Sequence, residues 1–134
     1  LCERFLIEKM LDGVVAELIV GVARDEQFGP YIVIGSGGVL VEIMNDSKSL
    51  LLPITQLQIL EALNALKCAP LFHGFRGKPQ CDLEAAADAI LAVGSLVQDH
   101  ASTISEVDIN PLMLLPRGQG VVAADALISF YENE

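Results

Sequence analysis

Four oxygen-bearing side chains lie among the apolar residues near the end of the sequence, and they have the clearest capacity for chemistry. They are Glu106, Asp108, Asn110 and Asp125. Hard cations such as Mg²⁺ bind oxygen atoms, and they often take one or two protein ligands together with water and substrate phosphates. Asn110 and Asp125 could supply such a pair. Alternatively, Asn110 and Pro111 form a turn, and Asp125 is a solvated strand residue.

Whether Asn110 and Asp125 meet depends on the turn between their strands. The predicted strands are residues 104–115 and 121–128, with a turn at residues 116–120. A four-residue loop pairs Leu115 with Gly120 and places Asn110 opposite Asp125 on the same face. A five-residue loop sends the two side chains to opposite faces, unless Pro111 introduces a bulge. The sequence allows both registers.

A glycine-rich run and two carboxylates are further candidates for binding a nucleotide. The run Gly35-Ser36-Gly37-Gly38 could bring backbone N–H groups, including those of Gly37 and Gly38, close to a phosphate. It lacks the dinucleotide-binding fingerprint and the P-loop pattern with its lysine, and a kinked strand is the commoner explanation. Glu8 and Glu17 lie on predicted apolar strands, where they could hydrogen-bond a nucleotide or face solvent.

The spacing of apolar residues predicts strands in the first third of the chain. Residues 14–22 alternate, with apolar side chains on one face and Glu17 on the other. After a turn, residues 31–34 follow as a second strand, which predicts an antiparallel hairpin. The strand pattern resumes at residues 39–44, and residues 1–8 also have the composition of a strand.

Two helices are predicted between the strands. Thr55 and Gln58 have capping-box spacing at the start of a helix that ends before Pro70. The apolar face of this helix is predicted to contain Leu57, Leu60, Leu63 and Leu66. Asp82 is the predicted N-cap of a second helix that extends to about Asp99. Strands, then helices, then strands indicate an α+β domain, in which helices cover one side of an antiparallel sheet.

The composition limits the classes of function. The 134 residues fit one domain, and a hydrophobic content of 52% with 19% charged residues predicts apolar surface covered by a partner or by self-association. A net charge of −10 with scattered lysines and arginines argues against nucleic acid as a partner. The apolar runs are too short to span a membrane. Three cysteines without metal-ligand spacing favour reduced thiols in the cytoplasm.

Several segments together resemble the C-terminal part of the ATP-grasp domain of NDP-forming acyl-CoA synthetases. This family includes ADP-forming acetyl-CoA synthetase and, more distantly, the β subunit of succinyl-CoA synthetase. The matching segments are Phe5-Leu6-Ile7-Glu8-Lys9-Met10, Ala16-Glu17-Leu18-Ile19-Val20-Gly21-Val22, Gln27-Phe28-Gly29-Pro30, Gly35-Ser36-Gly37-Gly38-Val39-Leu40-Val41-Glu42, Gly74-Phe75-Arg76-Gly77-Lys78-Pro79, Asp108-Ile109-Asn110-Pro111-Leu112 and Ala123-Ala124-Asp125-Ala126. Each segment is only modestly specific, but their order and spacing make the resemblance strong.

The resemblance implies that ATP or ADP binds with Mg²⁺. Adenine would meet a hinge strand that ends near Glu8, Lys9 and Met10. Glu17 would lie close to the nucleotide. The fold implied is the C-terminal ATP-grasp subdomain, an antiparallel sheet with helices packed on one side.

The same resemblance assigns roles to the residues of the last hairpin. Asn110 and Asp125 match the Mg²⁺ ligands that hold the nucleotide phosphates. Asp108 matches an acidic position that is glutamate in succinyl-CoA synthetase. The family places this position near a histidine that is transiently phosphorylated, so Asp108 is the candidate catalytic residue.

The family reaction converts an acyl-CoA and phosphate, through an acyl phosphate and a phosphohistidine, into free acid, CoA and a nucleoside triphosphate. The phosphate-clamping N-terminal subdomain, the CoA-binding and ligase domains and the histidine have no counterpart in residues 1–134. The chain is therefore expected to be inactive alone, with the remainder of a synthetase as its partner and an acid and CoA as the substrates of the whole. The alternatives are a regulatory synthetase-like module of a protein acetyltransferase and a non-catalytic interaction domain.

Overall fold

The computed structural model describes residues 4–38 and 45–131, which form one antiparallel sheet and a layer of helices. In chain order the elements are β1 Ala16–Asp25, β2 Gly29–Ser36, β3 Ser47–Leu51, α1 Gln56–Asn64, α2 Ala69–Phe72, a 3₁₀ turn Phe75–Gly77, α3 Leu83–Asp99, β4 Ile104–Leu114, β5 Val121–Ala123 and β6 Ala126–Phe130. The predicted α+β class is confirmed. Among the described residues, no helix is both long enough and apolar enough to cross a lipid bilayer.

The sheet places β1 and β4 side by side at its centre. The strand order is β3-β2-β1-β4-β5, and β6 also pairs with β4. Leu112 pairs with Ala123, and Ile109 pairs with Ala126. These two pairs are three residues apart on β4 and three residues apart on the opposite segment. β5 and β6 therefore lie end to end along the same side of β4.

The predicted hairpin between β1 and β2 is present. Its register runs from Leu18 opposite Ser36 to Asp25 opposite Gly29. The Asp25 carboxylate accepts the N–H groups of Gln27 and Phe28 at 2.8 and 2.9 Å. The side chain of Asp25 therefore closes the turn in the way that aspartate favours.

Helix α1 begins at the predicted capping box. The Thr55 hydroxyl accepts the Gln58 N–H, and the Gln58 side chain accepts the Thr55 N–H at 2.9 Å. The predicted apolar face is wrong at Leu57, which is 66% exposed. Leu63 and Leu66 are buried as predicted, together with Ile59 and Ala62, and Leu60 is partly buried. The leucine spacing therefore gave most of the buried face but not its edge at Leu57, because packing against the neighbouring sheet and helix decides where that face ends.

Helix α3 follows the prediction closely. Asp82 caps its first turn, and its buried residues are Ala86, Ala87, Ile90, Gly94 and Val97. Gly94 allows a close approach, because a Cβ atom there would lie 3.1 Å from the Leu52 side chain. The core therefore lies between this helix layer and one face of the sheet. Its strand residues are Leu18, Val20, Val22, Ile32, Ile34, Ile104, Val107, Ile109, Leu112 and Leu114.

Two predicted strand segments are not confirmed, and one observed strand was not predicted. Residues 4–8 were expected to be strand but are not, and Phe5 is 88% exposed. A strand needs a partner, and no strand in the described part of the chain pairs with them. The strand predicted at residues 39–44 lies outside the described residues. Strand β3 was not predicted, because its Ser-Lys-Ser start has little β character.

Candidate functional site

The turn between β4 and β5 is a four-residue loop. The Leu115 N–H donates to the Gly120 carbonyl oxygen at 3.2 Å, and the Asn110 N–H donates to the Asp125 carbonyl oxygen at 3.1 Å. Of the two registers that the sequence allows, this is the one that places Asn110 opposite Asp125.

Asp82 holds this turn in place from the start of α3. One carboxylate oxygen accepts the N–H groups of Gly118 and Gly120, both at 2.9 Å, and the other accepts the Ala85 N–H at 3.3 Å. The bond from Gly120 is the largest cause that lowers the pKa of Asp82; burial acts in the opposite direction but is outweighed by this bond together with those from Ala85 and Gly118. The helix cap was predicted from the sequence, but the contact with the turn was not, because Gly118 is 36 residues away.

A bulge in β4 coincides with the predicted metal ligand. Leu18 pairs with Leu112 and Val20 pairs with Ile109, so β4 advances three residues while β1 advances two. Asn110 and Pro111 together lie opposite a single β1 residue. As a result, Ile109 and Leu112 are both buried, although they are three residues apart, and Asn110 between them is exposed.

The predicted polar residues share the sheet face that the helices leave uncovered. Leu18 points into the core, so its neighbour Glu17 points to the opposite face. Val107 and Ile109 point into the core, so Asp108 lies on the uncovered face. Asn110 is exposed at the bulge on this same face, with Asp125 opposite it. We call this surface the open face. Neighbouring strands lie about 4.8 Å apart, which places these groups within the length of one nucleotide.

A cleft of about 480 Å³ lies beside these side chains. It is lined by Glu8, Lys9, Met10, Leu11, Val14, Met113, Val122, Ala123 and Ala124. Met113 pairs with Glu17 on one side and with Val122 on the other. Ala124 precedes Asp125 in the chain. The residues predicted to meet adenine thus line a largely apolar cleft that borders the predicted metal ligands.

The glycine run contacts Glu17. The Gly37 N–H donates to the Glu17 carbonyl oxygen at 2.7 Å, and a Cβ atom on Gly37 would lie 2.8 Å from the Glu17 Cβ. Gly38 has φ +89°, a conformation that favours glycine. The close backbone approach explains Gly37, whose N–H is already bonded. Phosphate binding by Gly37 and Gly38 stays a prediction.

A divalent ion at the open face would have few protein ligands. Across residues 4–38 and 45–131, no three His, Cys, Asp or Glu side chains converge as a metal site. Asn110 and Asp125 offer one amide oxygen and one carboxylate. This donor set suits Mg²⁺, which keeps several water or phosphate ligands.

The buried Asp46 has a structural role that the sequence analysis missed. It is 5% exposed, and its carboxylate accepts the N–H groups of Lys67 and Cys68 at 2.7 and 3.0 Å. Burial would raise the pKa of Asp46, but these bonds outweigh it and lower the pKa. Burial and Asp46 raise the pKa of Cys68 to about 12, and burial raises that of Cys81 to about 11. Both thiols are therefore poor nucleophiles at neutral pH.

Comparison with known proteins identifies the family of this chain. The profile of the ATP-grasp domain family matches residues 1–130. The chain belongs to the ATP-grasp family, and the relatives that it matches include ADP-forming acetate–CoA ligases.

Two curated relatives define the subgroup. Acetate–CoA ligase [ADP-forming] I of Archaeoglobus fulgidus is 41% identical over 120 residues, which are 90% of this chain and 17% of that protein. Acetate–CoA ligase [ADP-forming] II subunit beta of Pyrococcus furiosus is 39% identical over 112 residues, 84% of this chain and 48% of that subunit. The chain therefore spans no more than about half the length of these relatives.

Solved structures share the fold. PH1788 from Pyrococcus horikoshii superposes with a TM-score of 0.86 at 35% identity, covering 92% of this chain and 52% of that one. The dinucleotide-forming acetyl-coenzyme A synthetase 1 of Ca. Korarchaeum cryptofilum gives a TM-score of 0.81 at 34% identity, covering 91% of this chain and 55% of that one. That structure contains coenzyme A and Mg-AMPPCP, and its phosphohistidine segment points towards the nucleotide-binding site.

Proposed function

We propose that this chain is the nucleotide- and Mg²⁺-binding part of an ADP-forming acyl-CoA synthetase. The observation that carries the proposal is the pairing of Asn110 with Asp125 on the open face, next to the 480 Å³ cleft. The relatives are ligases, which favours the synthetase over the acetyltransferase-linked module or a pure interaction domain. Its substrates, an acid, CoA and a nucleotide, suit a cytoplasmic location.

In this proposal the cleft binds the base of the nucleotide, and the open face binds its phosphates. The apolar side chains of Met10, Met113 and Val122 suit the faces of a purine base. Glu8 and Lys9, on the same wall, can hydrogen-bond the base edge. Glu17 lies between this cleft and the Gly37 backbone, where it can contact the nucleotide.

Phosphoryl transfer depends on positioning and on neutralising phosphate charge. Asn110 and Asp125 would hold the Mg²⁺ ion, which supplies the positive charge beside the phosphates. The hairpin register holds the backbones of these two residues opposite each other before the ion binds. Such preorganisation lowers the cost of binding.

Asp108 is proposed as the residue that meets the phosphorylated histidine of another domain. It pairs with Gly21 of β1 and Leu127 of β6. Gly21 has no side chain, which leaves space beside the Asp108 carboxylate. In this position Asp108 would accept a hydrogen bond from an approaching imidazole and hold the ring in place.

The metal assignment can be tested by titrating a complete synthetase that contains this chain with ADP and Mg²⁺. Asp125→Ala is expected to weaken Mg²⁺-dependent binding by at least about 10-fold, the scale seen when even a supporting group of a metal site is lost. Glu61→Ala removes an exposed carboxylate on α1, in the helix layer, and should leave the affinity unchanged. Equal affinity of the Asp125→Ala variant and the parent would refute the assignment.

A further inference from the structure

Strand β6 lies at one edge of the sheet. It pairs with β4 along residues 126–130, and within residues 4–38 and 45–131 no strand pairs with its other side, which we call the free edge of β6. The N–H and C=O groups of such an edge form a template for a further strand. Strand β3, at the opposite edge, carries Lys48, whereas residues 126–130 contain no proline and no charge that would block pairing.

The helix side of this edge is apolar. Ile104 and Val107 of β4 point into the core, so their partners Phe130 and Ile128 lie on the helix side as well. Phe130 is 62% exposed and Ile128 is 41% exposed. The helix layer therefore leaves these two side chains without a full cover.

The same apolar surface continues along β5. A hollow of about 170 Å³ lies between α3 and β5, and Ala89, Val93, Val121 and Ala123 are in its lining. Every side chain that lines it is apolar. Apolar groups are thus the ones that suit the helix side of this edge.

The open face carries carboxylates just behind the same edge. Asp108 pairs with Leu127, and Glu106 pairs with Ser129. Asp125 directly precedes β6. Glu106 and Asp108 alternate with the buried Val107, so both carboxylates lie on the open face. A group that approaches β6 from this side meets negative charge.

Arg24 lies at the end of the sheet and does not face these carboxylates. It alternates with Val20 and Val22, which point into the core, so its side chain begins on the helix side. Its guanidinium donates to the Ala101 carbonyl oxygen at 2.6 Å and lies 5.8 Å from the centre of the Tyr131 ring. The open-face side of the edge therefore keeps its negative charge, in a chain of net charge −10.

Only an extended segment meets both sides of the edge at once. Side chains of a strand point alternately to the two faces of a sheet, whereas a helix packs against one face. A second copy of β6 would bring another set of carboxylates and no cation. Ser129 is short, so a long cationic side chain opposite it can extend over it to Glu106, roughly 10 Å away across two strand spacings.

We propose that β6 pairs with an extended segment of another part of the synthetase, in which apolar residues alternate with lysine or arginine. The apolar residues pack beside Ile128 and Phe130, and a cation opposite Ser129 faces Glu106. Strand addition takes its affinity from backbone hydrogen bonds and its specificity from alternate side chains. This inference rests on the proposed function, and the aligned residues are only 17% and 48% of the two curated relatives, which are therefore longer.

Hydrogen–deuterium exchange of a complete synthetase that contains this chain, resolved to single amides, tests the pairing. In an unpaired edge strand alternate N–H groups point away from the neighbouring strand and exchange quickly. All amides of residues 127–130 are expected to exchange slowly, with the outward-pointing ones protected at least about 10-fold. Fast exchange at alternate residues of β6 in the complete synthetase overturns the proposal.

A pair of variants of opposite charge tests the chemistry of the added segment. Ser129→Lys places a cation beside the cation of the segment and should speed exchange at the free edge by roughly 3–5-fold, the scale of an exposed charge pair. Ser129→Glu, of similar size, should leave exchange equal or slower. Leu57→Lys, on α1 where Leu57 is 66% exposed, is the matched control and should change nothing at β6.

Two further outcomes contradict the proposal. Equal exchange in Ser129→Lys and Ser129→Glu would show that the segment is not basic. Protection of β6 in this chain alone, increasing with its concentration, would assign the edge to a second copy. The exchange experiment needs no nucleotide, so a wrong metal assignment, detected with Asp125→Ala, is distinguished from a wrong assignment of this edge.

Discussion

At Gly37 the backbone lies so close to Glu17 that no side chain fits between them. The two residues are joined by a 2.7 Å hydrogen bond, and the nearest atoms to a Cβ on Gly37 belong to the Glu17 Cβ and backbone. Backbone atoms cannot move aside as the end of a flexible side chain can. Glu17 is therefore positioned on the open face by contact with Gly37 as well as by its own strand.

Gly37→Ala is expected to lower the free energy of unfolding by about 1–3 kcal/mol, the usual cost of overpacking. Gly21→Ala is the matched control in β1, because a Cβ there would meet only the Val107 carbonyl oxygen at 3.9 Å. Urea unfolding of both variants provides the comparison. If Gly37→Ala is no less stable than Gly21→Ala, the close contact does not matter for stability.

At the scale of elements, the hairpin of β4, β5 and β6 depends on the helix that begins beside it. The Asp82 carboxylate binds the first turn of α3 and two N–H groups of the loop. This arrangement favours the four-residue loop, and the loop in turn sets which residues of β4 and β5 lie opposite each other. Asn110 and Asp125, the proposed metal ligands, are therefore aligned by a residue that does not belong to the hairpin.

Asp82→Ala is expected to lower the free energy of unfolding at pH 7 by about 0.5–2 kcal/mol, the usual effect of losing an N-cap. The pKa of Asp82 is lowered in the folded state, so its stabilisation is present above the unfolded pKa of about 3.9. It is lost as the pH falls through the folded pKa. Chemical unfolding across this pH range should show that the free energies of unfolding of the parent and of Asp82→Ala become equal in acid.

Asp99→Ala, at the other end of α3, is the control for this pH series. A carboxylate near a helix C-terminus interacts unfavourably with the helix dipole, so its removal should leave stability unchanged or slightly higher. A gap between the parent and Asp82→Ala that stays constant from pH 7 to acid would contradict the role of the Asp82 charge.

At the scale of the whole molecule, Asp46 joins the sheet to the helix layer. Its carboxylate binds N–H groups that follow α1, and its carbonyl oxygen accepts the Ser36 N–H at the end of β2. The open face is supported from behind by this layer. The family relationship indicates that the front of that face meets other parts of a synthetase.

Asp46→Ala is expected to cost roughly 1–3 kcal/mol of unfolding free energy, because it leaves the partly buried N–H groups of Lys67 and Cys68 without this acceptor. Asp46→Asn keeps one acceptor oxygen and should cost less. Thermal unfolding of the two variants distinguishes them. Equal losses would contradict this expectation, since Asn keeps the volume of Asp and one acceptor oxygen, and would mean that the stabilisation requires the charged carboxylate.

Local patterns in the sequence determined several parts of this protein. Alternation identified the core side of β1, and hydrogen-bonding side chains identified the starts of α1 and α3 at Thr55 and Asp82. These features depend on residues within a few positions of each other, so the sequence shows them directly. The order of short motifs also indicated the family.

The tertiary structure decided how the site is assembled. The sequence left two registers for Asn110 and Asp125, and the choice between them involves Asp82, more than 30 residues from the turn. It allowed two explanations of Gly37, and the contact with Glu17, 20 residues earlier, accounts for the glycine. The exposed face of α1 at Leu57 likewise depended on packing. Each outcome depends on contacts between distant residues, which a local pattern does not encode.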